Sequence, residues 1–150
     1  MNGASHLVGG VTAAMVLGIH SPAQLAVVAV SSLLPDIDRQ NSILGRCIPV
    51  LPSVLEATFG KRTLTHSIIF GLCVWLLLSI HSSWQWPFLI GYVSHLMLDV
   101  ITGKVALLWP HHWKWGVPLF GIPPVFVETI AIAAWGAWMV LGGYSHFYIA

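Results

Sequence analysis

The sequence predicts an all-α protein: an integral membrane helical bundle of four to five transmembrane helices, built as a single domain over residues 1–150. Three observations predict it. Hydrophobic residues make up 57% of the chain and charged residues 7%, with a mean hydropathy of +0.83. A soluble domain carries roughly a quarter charged residues, so this surface is not suited to water on every side. Apolar segments recur along the chain, separated by breaks rich in proline, glycine or charge. No stretch alternates apolar and polar residues as a half-buried strand does, and a bilayer admits only helices or closed barrels.

The first apolar segment covers residues 5–19 and ends at His20-Ser21-Pro22. Pro22 suits the opening turn of a helix, where its missing N–H costs nothing. The second covers 23–34 and stops at Pro35. It is short for a span of ~20 residues, so it either crosses tilted, enters partway or lies buried among the others. Residues 36–65 form a polar connection, with a short helix expected over 53–59. The third segment covers 65–80, with Thr63 or Thr65 as the expected N-cap. The fourth covers 84–102. A second connection, 103–121, is rich in Trp, Gly and Pro, and the fifth segment covers 124–141. Gly9, Gly10, Gly18, Gly71 and Gly91 are expected at close helix approaches.

All six Lys and Arg lie in the two longer connections. The positive-inside rule puts both on the cytoplasmic side. Five spans then leave the N-terminus inside and the C-terminus outside. Trp109, Trp113 and Trp115 belong to the inner interface, Trp84 and Trp86 to the outer. The N-terminus lacks the basic region of a cleavable signal. Cys47 and Cys73 have no metal-like spacing and read as plain thiols. Six basic residues without a run exclude a nucleic-acid footprint.

This topology rests on Lys and Arg alone, yet it sorts the acids and histidines. His6, Asp36, Asp38, His66, His95 and Asp99 all fall at the cytoplasmic end of their segments, with Glu128 one turn into the fifth. His20, His81 and His146 fall opposite and read as packing residues, while His111-His112 reads as an interface mark. His95 and Asp99 stand four residues apart, hence on one helix face. A carboxylate in so apolar a run is costly unless paired or holding metal, and both readings stand on spacing alone. Imidazole with carboxylate suits Zn²⁺, Mn²⁺ or Fe²⁺. Such an ion acidifies a water and polarises a phosphoryl or carbonyl oxygen. Arg39, Lys61 and Arg62 stand beside this set, where they can hold a phosphate. Asp36 is the expected ligand and Asp38 a ligand or general base.

The pieces Leu33-Leu34-Pro35-Asp36-Ile37-Asp38, Gly60-Lys61-Arg62-Thr63-Leu64-Thr65-His66-Ser67, Gly91-Tyr92-Val93-Ser94-His95-Leu96-Met97-Leu98-Asp99 and Leu107-Leu108-Trp109-Pro110, with the early His6, resemble the YdjM family. That family is described as LexA-binding, inner-membrane-associated metal-dependent hydrolases. The resemblance implies a membrane-bound, phospholipase-like hydrolase, with a link to the DNA-damage (SOS) response for some members. The ligand order is also similar to zinc-dependent phospholipase C. By that similarity His6, Asp36, His66, His95 and Asp99 hold the metal, while Asp38 assists catalysis and Arg62 orients a phosphate. Where family members often carry His-Arg this chain has Lys61-Arg62, which points to one or two ions rather than three. The expected substrate is an ester or phosphoester of a lipid or lipid-linked molecule. The rival classes are an ion carrier and a non-catalytic protein that binds metal or a regulatory partner. A carrier should spread its ionisable groups through the membrane depth, whereas these gather at one side.

Overall fold

The structure, a computed structural model, describes residues 3–80, 82–117 and 123–141. Its regular elements are all helical, joined by turns and irregular segments, with one isolated antiparallel bridge between Val105 and Trp115 among the described residues. The helices are α1 (Gly3–Val16), α2 (Pro22–Leu33), α3 (Ile43–Cys47), α4 (Val50–Phe59), α5 (Ile68–Leu77), α6 (Ser82–Thr102) and α7 (Pro124–Val140). Helix α6 is the hub, packing chiefly on α2 and then on α1.

Local chemistry explains the boundaries. Pro22 opens α2 as expected. Pro35 ends it, and the chain continues as a 3₁₀ turn over Leu34–Asp38 that delivers two carboxylates. Helix α5 begins later than expected, and neither threonine caps it. The Ser67 hydroxyl accepts from the Phe70 N–H at 3.1 Å, while the Thr63 hydroxyl bonds to the Phe59 and Gly60 carbonyls. The segment before it, Leu64–His66, is a separate 3₁₀ turn. The short helix of the first connection is α4, with α3 an additional turn before it. In α6, Pro87 has no N–H for the Ser83 carbonyl four residues back. The Gln24 side chain supplies the missing donor at 3.2 Å.

Helices α2 and α6 cross where Gly91 has no side chain. A Cβ there would meet the Val28 carbonyl oxygen at 2.5 Å and collide with the Ser31 hydroxyl. Gly10 lets α1 approach Ser32 and Ser94, Gly9 makes room for Leu98, and Gly71 seats the Tyr92 ring. Gly18 differs from the expectation. It has open space around it and a φ of +83°, so it terminates the turn after α1 instead of mediating packing.

No described helix is long and apolar enough to cross a membrane. The all-α expectation fits, but the expected bundle of four to five transmembrane helices is not shown by these helices. Helices α1, α2 and α5 have 14, 12 and 10 residues. Helix α6 has 21, but its inward face carries Ser94, His95 and Asp99, which lower its hydropathy.

The distribution of polarity is inverted. Ser5, His6, Ser31, Ser32, Asp36, Asp38, Thr65, His66, Ser67, His95 and Asp99 are buried. The buried apolar core is small, centred on Phe88, Tyr92 and Leu96. Large apolar side chains point outward instead, among them Leu72, Leu76, Leu77, Ile80, Trp86 and Met97. Cys47 and Cys73 are exposed free thiols.

Candidate metal centre

Four elements meet at the polar core. Helix α1 brings His6, the turn after α2 brings Asp36 and Asp38, the turn before α5 brings His66, and α6 brings His95 and Asp99. Five of these six side chains are ones the sequence marks as ligands; all six are buried. One atom from each of Asp36, His66, His95 and Asp99 falls within 4.8 Å of the others. His6 stands beside this group, its ring stacked on His95 at a centroid distance of 3.7 Å.

Asp99 is the centre of the arrangement. Its Oδ2 faces His66 Nε2 at 3.2 Å and His95 Nε2 at 3.5 Å. Its Oδ1 faces His6 Nε2 at 3.4 Å and Arg62 Nη2 at 3.2 Å. One carboxylate thus presents its two oxygens to two different sets of partners. Asp36 Oδ1 lies 3.7 Å from His66 Nε2 and 4.0 Å from His95 Nε2.

The donor set fits a metal ion. The Nε2 atoms of His6, His66 and His95 are buried and make no hydrogen bond. The His95 Nδ1 lies 2.7 Å from the Ser32 carbonyl oxygen, which can only accept. Nδ1 therefore carries the hydrogen, and in the neutral ring Nε2 keeps a lone pair directed at the cluster. Behind His66, the Nδ1 edge faces Asp38 Oδ2 at 3.6 Å and the Thr65 hydroxyl at 3.3 Å. Asp38 thus stands on the far side of the imidazole from the four-residue group. A carboxylate in that position orients a ligating histidine.

The same Asp38 Oδ2 accepts the Arg62 backbone N–H at 2.8 Å. Arg62 has φ +54°, a left-handed conformation that few non-glycine residues adopt. Gly103 leaves room for its guanidinium, since a Cβ there would meet Nη1 at 2.8 Å. Asp36 is held by Arg39 at 3.2 Å. Burial pushes the Asp36 carboxyl up, but His66, His95 and Arg39 together outweigh it and bring it down to about 2.

Three contributors escape the sequence reading. Tyr92 bonds through its hydroxyl to the Thr65 and Ser67 carbonyls, both at 2.8 Å, bracketing His66. Its place three residues before His95 on α6 is the signal that could have found it. The Ser32 carbonyl is a backbone group and leaves no trace in residue identity. The second connection folds over the site, with the Ala106 N–H donating to the Arg62 carbonyl and the Ile68 N–H to the Leu107 carbonyl. His111 and His112 are exposed on that connection and take no part in the buried cluster. His81, His146 and the side chain of Glu128 lie outside the described residues.

Fold and site together define a small helical protein with a buried histidine–aspartate cluster that could hold a metal ion. The chain belongs to the YdjM inner membrane protein family, whose pattern matches residues 1–149. It is similar to the uncharacterized protein YvsG of Bacillus subtilis, with 32% identity over 99% of this chain and 96% of that one. It is similar also to the inner membrane protein YdjM of Escherichia coli, with 31% identity over 71% of this chain. The match spans 61% of the length of the E. coli protein. No solved structure matches.

Proposed function

We propose that this protein is a metal-dependent hydrolase embedded in the bacterial inner membrane, acting on an ester or phosphoester of a lipid or lipid-linked substrate. The observation that carries it is the convergence of three buried imidazole Nε2 atoms, none hydrogen-bonded, on the carboxylates of Asp36 and Asp99. Burying ions and imidazoles together costs several kcal/mol per charge unless something compensates. A divalent cation is the compensation this donor set favours, with zinc first and manganese or iron next.

Asp36, His66, His95 and Asp99 would hold the ion, with His6 on the second oxygen of Asp99. When bound, such an ion supplies Lewis acidity and a water that loses its proton near neutral pH. The chain's own residues do the rest. Asp38 keeps His66 turned toward the cluster and accepts the Arg62 N–H, and Arg62 sets Asp99 and directs a cation at the substrate side. The membrane placement is supported by the family and by the outward apolar side chains. It puts the lipid-facing residues of α5 and α6 around a site at headgroup depth.

A second reading has an observation of its own. Arg39, Arg62 and a proton on His66 would balance Asp36, Asp38 and Asp99 without any metal. In that case the cluster ties four elements together and the protein is non-catalytic, serving a regulatory partner.

Elemental analysis of protein purified without chelator separates the two. The hydrolase reading expects one or two equivalents of transition metal in the wild type, and at least a tenfold loss of affinity in Asp99→Asn and His95→Ala. It also expects chelator-sensitive release of product from a panel of phosphoester and ester lipids. Absence of metal, with His95→Ala indistinguishable from wild type, would leave the metal-free network.

A further inference from the structure

A polar pocket of about 480 Å³ opens beside the cluster, lined by Arg39, Gln40, Asn41, Glu56, Lys61 and Arg62. Three of the six Lys and Arg of the chain line it. The other large hollows are apolar grooves between helices, such as the one that Ala13, Leu17 and Trp86 line between α1 and α6. Positive charge is therefore gathered at one opening, and that opening adjoins the carboxylates of the site.

The two arginines are engaged differently. Arg62 Nη2 donates to Oδ1 of Asp99, while Oδ2 faces His66 and His95. A cation on the Oδ2 side leaves that pair intact. Arg39 Nη1 straddles both oxygens of Asp36, at 3.2 and 3.4 Å. One of those oxygens, Oδ1, also faces His66 and His95. A cation in the cluster therefore competes with Arg39 for Asp36. The Arg39 side chain is 40% exposed, so it has solvent on its pocket side. Lys61 reaches the same pocket from an exposed position, held loosely by Glu56 at 3.1 Å.

We propose that this pocket binds the phosphate group of the substrate and that metal binding makes it competent, by releasing Arg39 from Asp36 to join Lys61 and Arg62. The proposal rests on the metal-centre reading and narrows its substrate to phosphate-bearing molecules. Guanidinium forks match the paired oxygens of a phosphate, and a lysine adds a point charge. Metal and phosphate then bind with positive coupling, each raising the affinity for the other by the same factor.

The test is calorimetry on the full chain in neutral detergent, with zinc and sn-glycerol 3-phosphate as probes. Nanodiscs of phosphatidic acid or of phosphatidylcholine alone form a second arm. With zinc present, glycerol phosphate should bind at least tenfold more tightly than without it. Arg39→Gln and Lys61→Gln should each cost about tenfold or more in phosphate affinity, as loss of a hydrogen bond to a charged group does. Arg39→Gln should bind zinc as tightly as wild type or more tightly, since its competitor for Asp36 is gone. Lys61 touches no cluster residue, so its variant keeps the test open should Arg39→Gln fold poorly. Binding of soluble glycerol phosphate identifies a free phosphate ester as sufficient. Coupled binding that appears only on phosphatidic acid nanodiscs identifies the lipid headgroup, and either supports the proposal. Zinc binding with no change in phosphate affinity, or phosphate affinity unaltered in both variants, overturns it while leaving the metal centre standing. A chain that binds no zinc overturns the metal-centre reading and this proposal with it.

Discussion

Arg62 joins backbone strain to site chemistry in one residue. Its φ of +54° costs an L-residue roughly 1–2 kcal/mol. Asp38 repays part of that by accepting its N–H, and Asp99 by accepting its guanidinium. Glycine adopts the same backbone without the penalty. Arg62→Gly should therefore be more stable than Arg62→Ala by about 1 kcal/mol, read by thermal or denaturant unfolding. Both variants lose the guanidinium beside Asp99, so on the proposed hydrolase reading both should lose activity to the same degree. Equal stabilities would mean that the backbone at position 62 relaxes once the side chain is gone. The identity of this residue was legible as a basic group beside a histidine turn. Its conformation was not, because arginine gives no warning of a left-handed φ.

Elements position the site through close contacts that small residues permit. The crossing of α2 and α6 carries Asp36 at the end of one helix and His95 with Asp99 on the other. It also lets the Ser32 carbonyl reach His95. Gly91→Ala drives a Cβ into the Val28 carbonyl and the Ser31 hydroxyl; the hydroxyl can rotate aside, but the carbonyl is backbone and cannot. The helices must separate, at a cost of about 1–3 kcal/mol. The predicted result is a lower unfolding midpoint together with weakened zinc binding, because the separation moves His95 away from Asp36. A variant with unchanged midpoint and metal affinity would show that the crossing tolerates a methyl group. Much of this was readable beforehand. The glycine sat in an apolar segment at a helix-packing spacing, and Pro22 and Pro35 marked both ends of α2. The unread part lies where a backbone group or a loop does the work. The cap by Ser67, the donor that Gln24 lends to Ser83, and the second connection closing over Arg62 depend on tertiary proximity, which local periodicity does not encode.

At the scale of the whole molecule, the polar residues are inside and much of the apolar surface is outside. Leu77 is 73% exposed and Ile80 84% exposed, while His6, His66, His95 and Asp99 are fully buried. A water-soluble monomer rarely presents so much contiguous apolar surface. The expected four to five spans were read from apolar segments whose composition was a sound guide to the surface but not to helix length. Helices α1, α2, α5 and α7 fall short in length, at 14, 12, 10 and 17 residues, and α6, long enough at 21, is not apolar enough. Helix α6, with 21 residues, is nevertheless roughly 30 Å long, close to the thickness of a hydrocarbon core of about 30 Å. The exposed Trp84 and Trp86 lie at its start, and Trp113 and Trp115 follow its end; on the proposed embedding these would form two interfacial belts. The full chain should therefore remain in the membrane pellet after alkaline carbonate and require detergent for release. In reconstituted vesicles, Trp86→Phe and Trp113→Phe should each reduce quenching by a label held near the headgroups more than quenching by one at the bilayer centre. Recovery of a detergent-free, monodisperse monomer in the soluble fraction would refute the embedding.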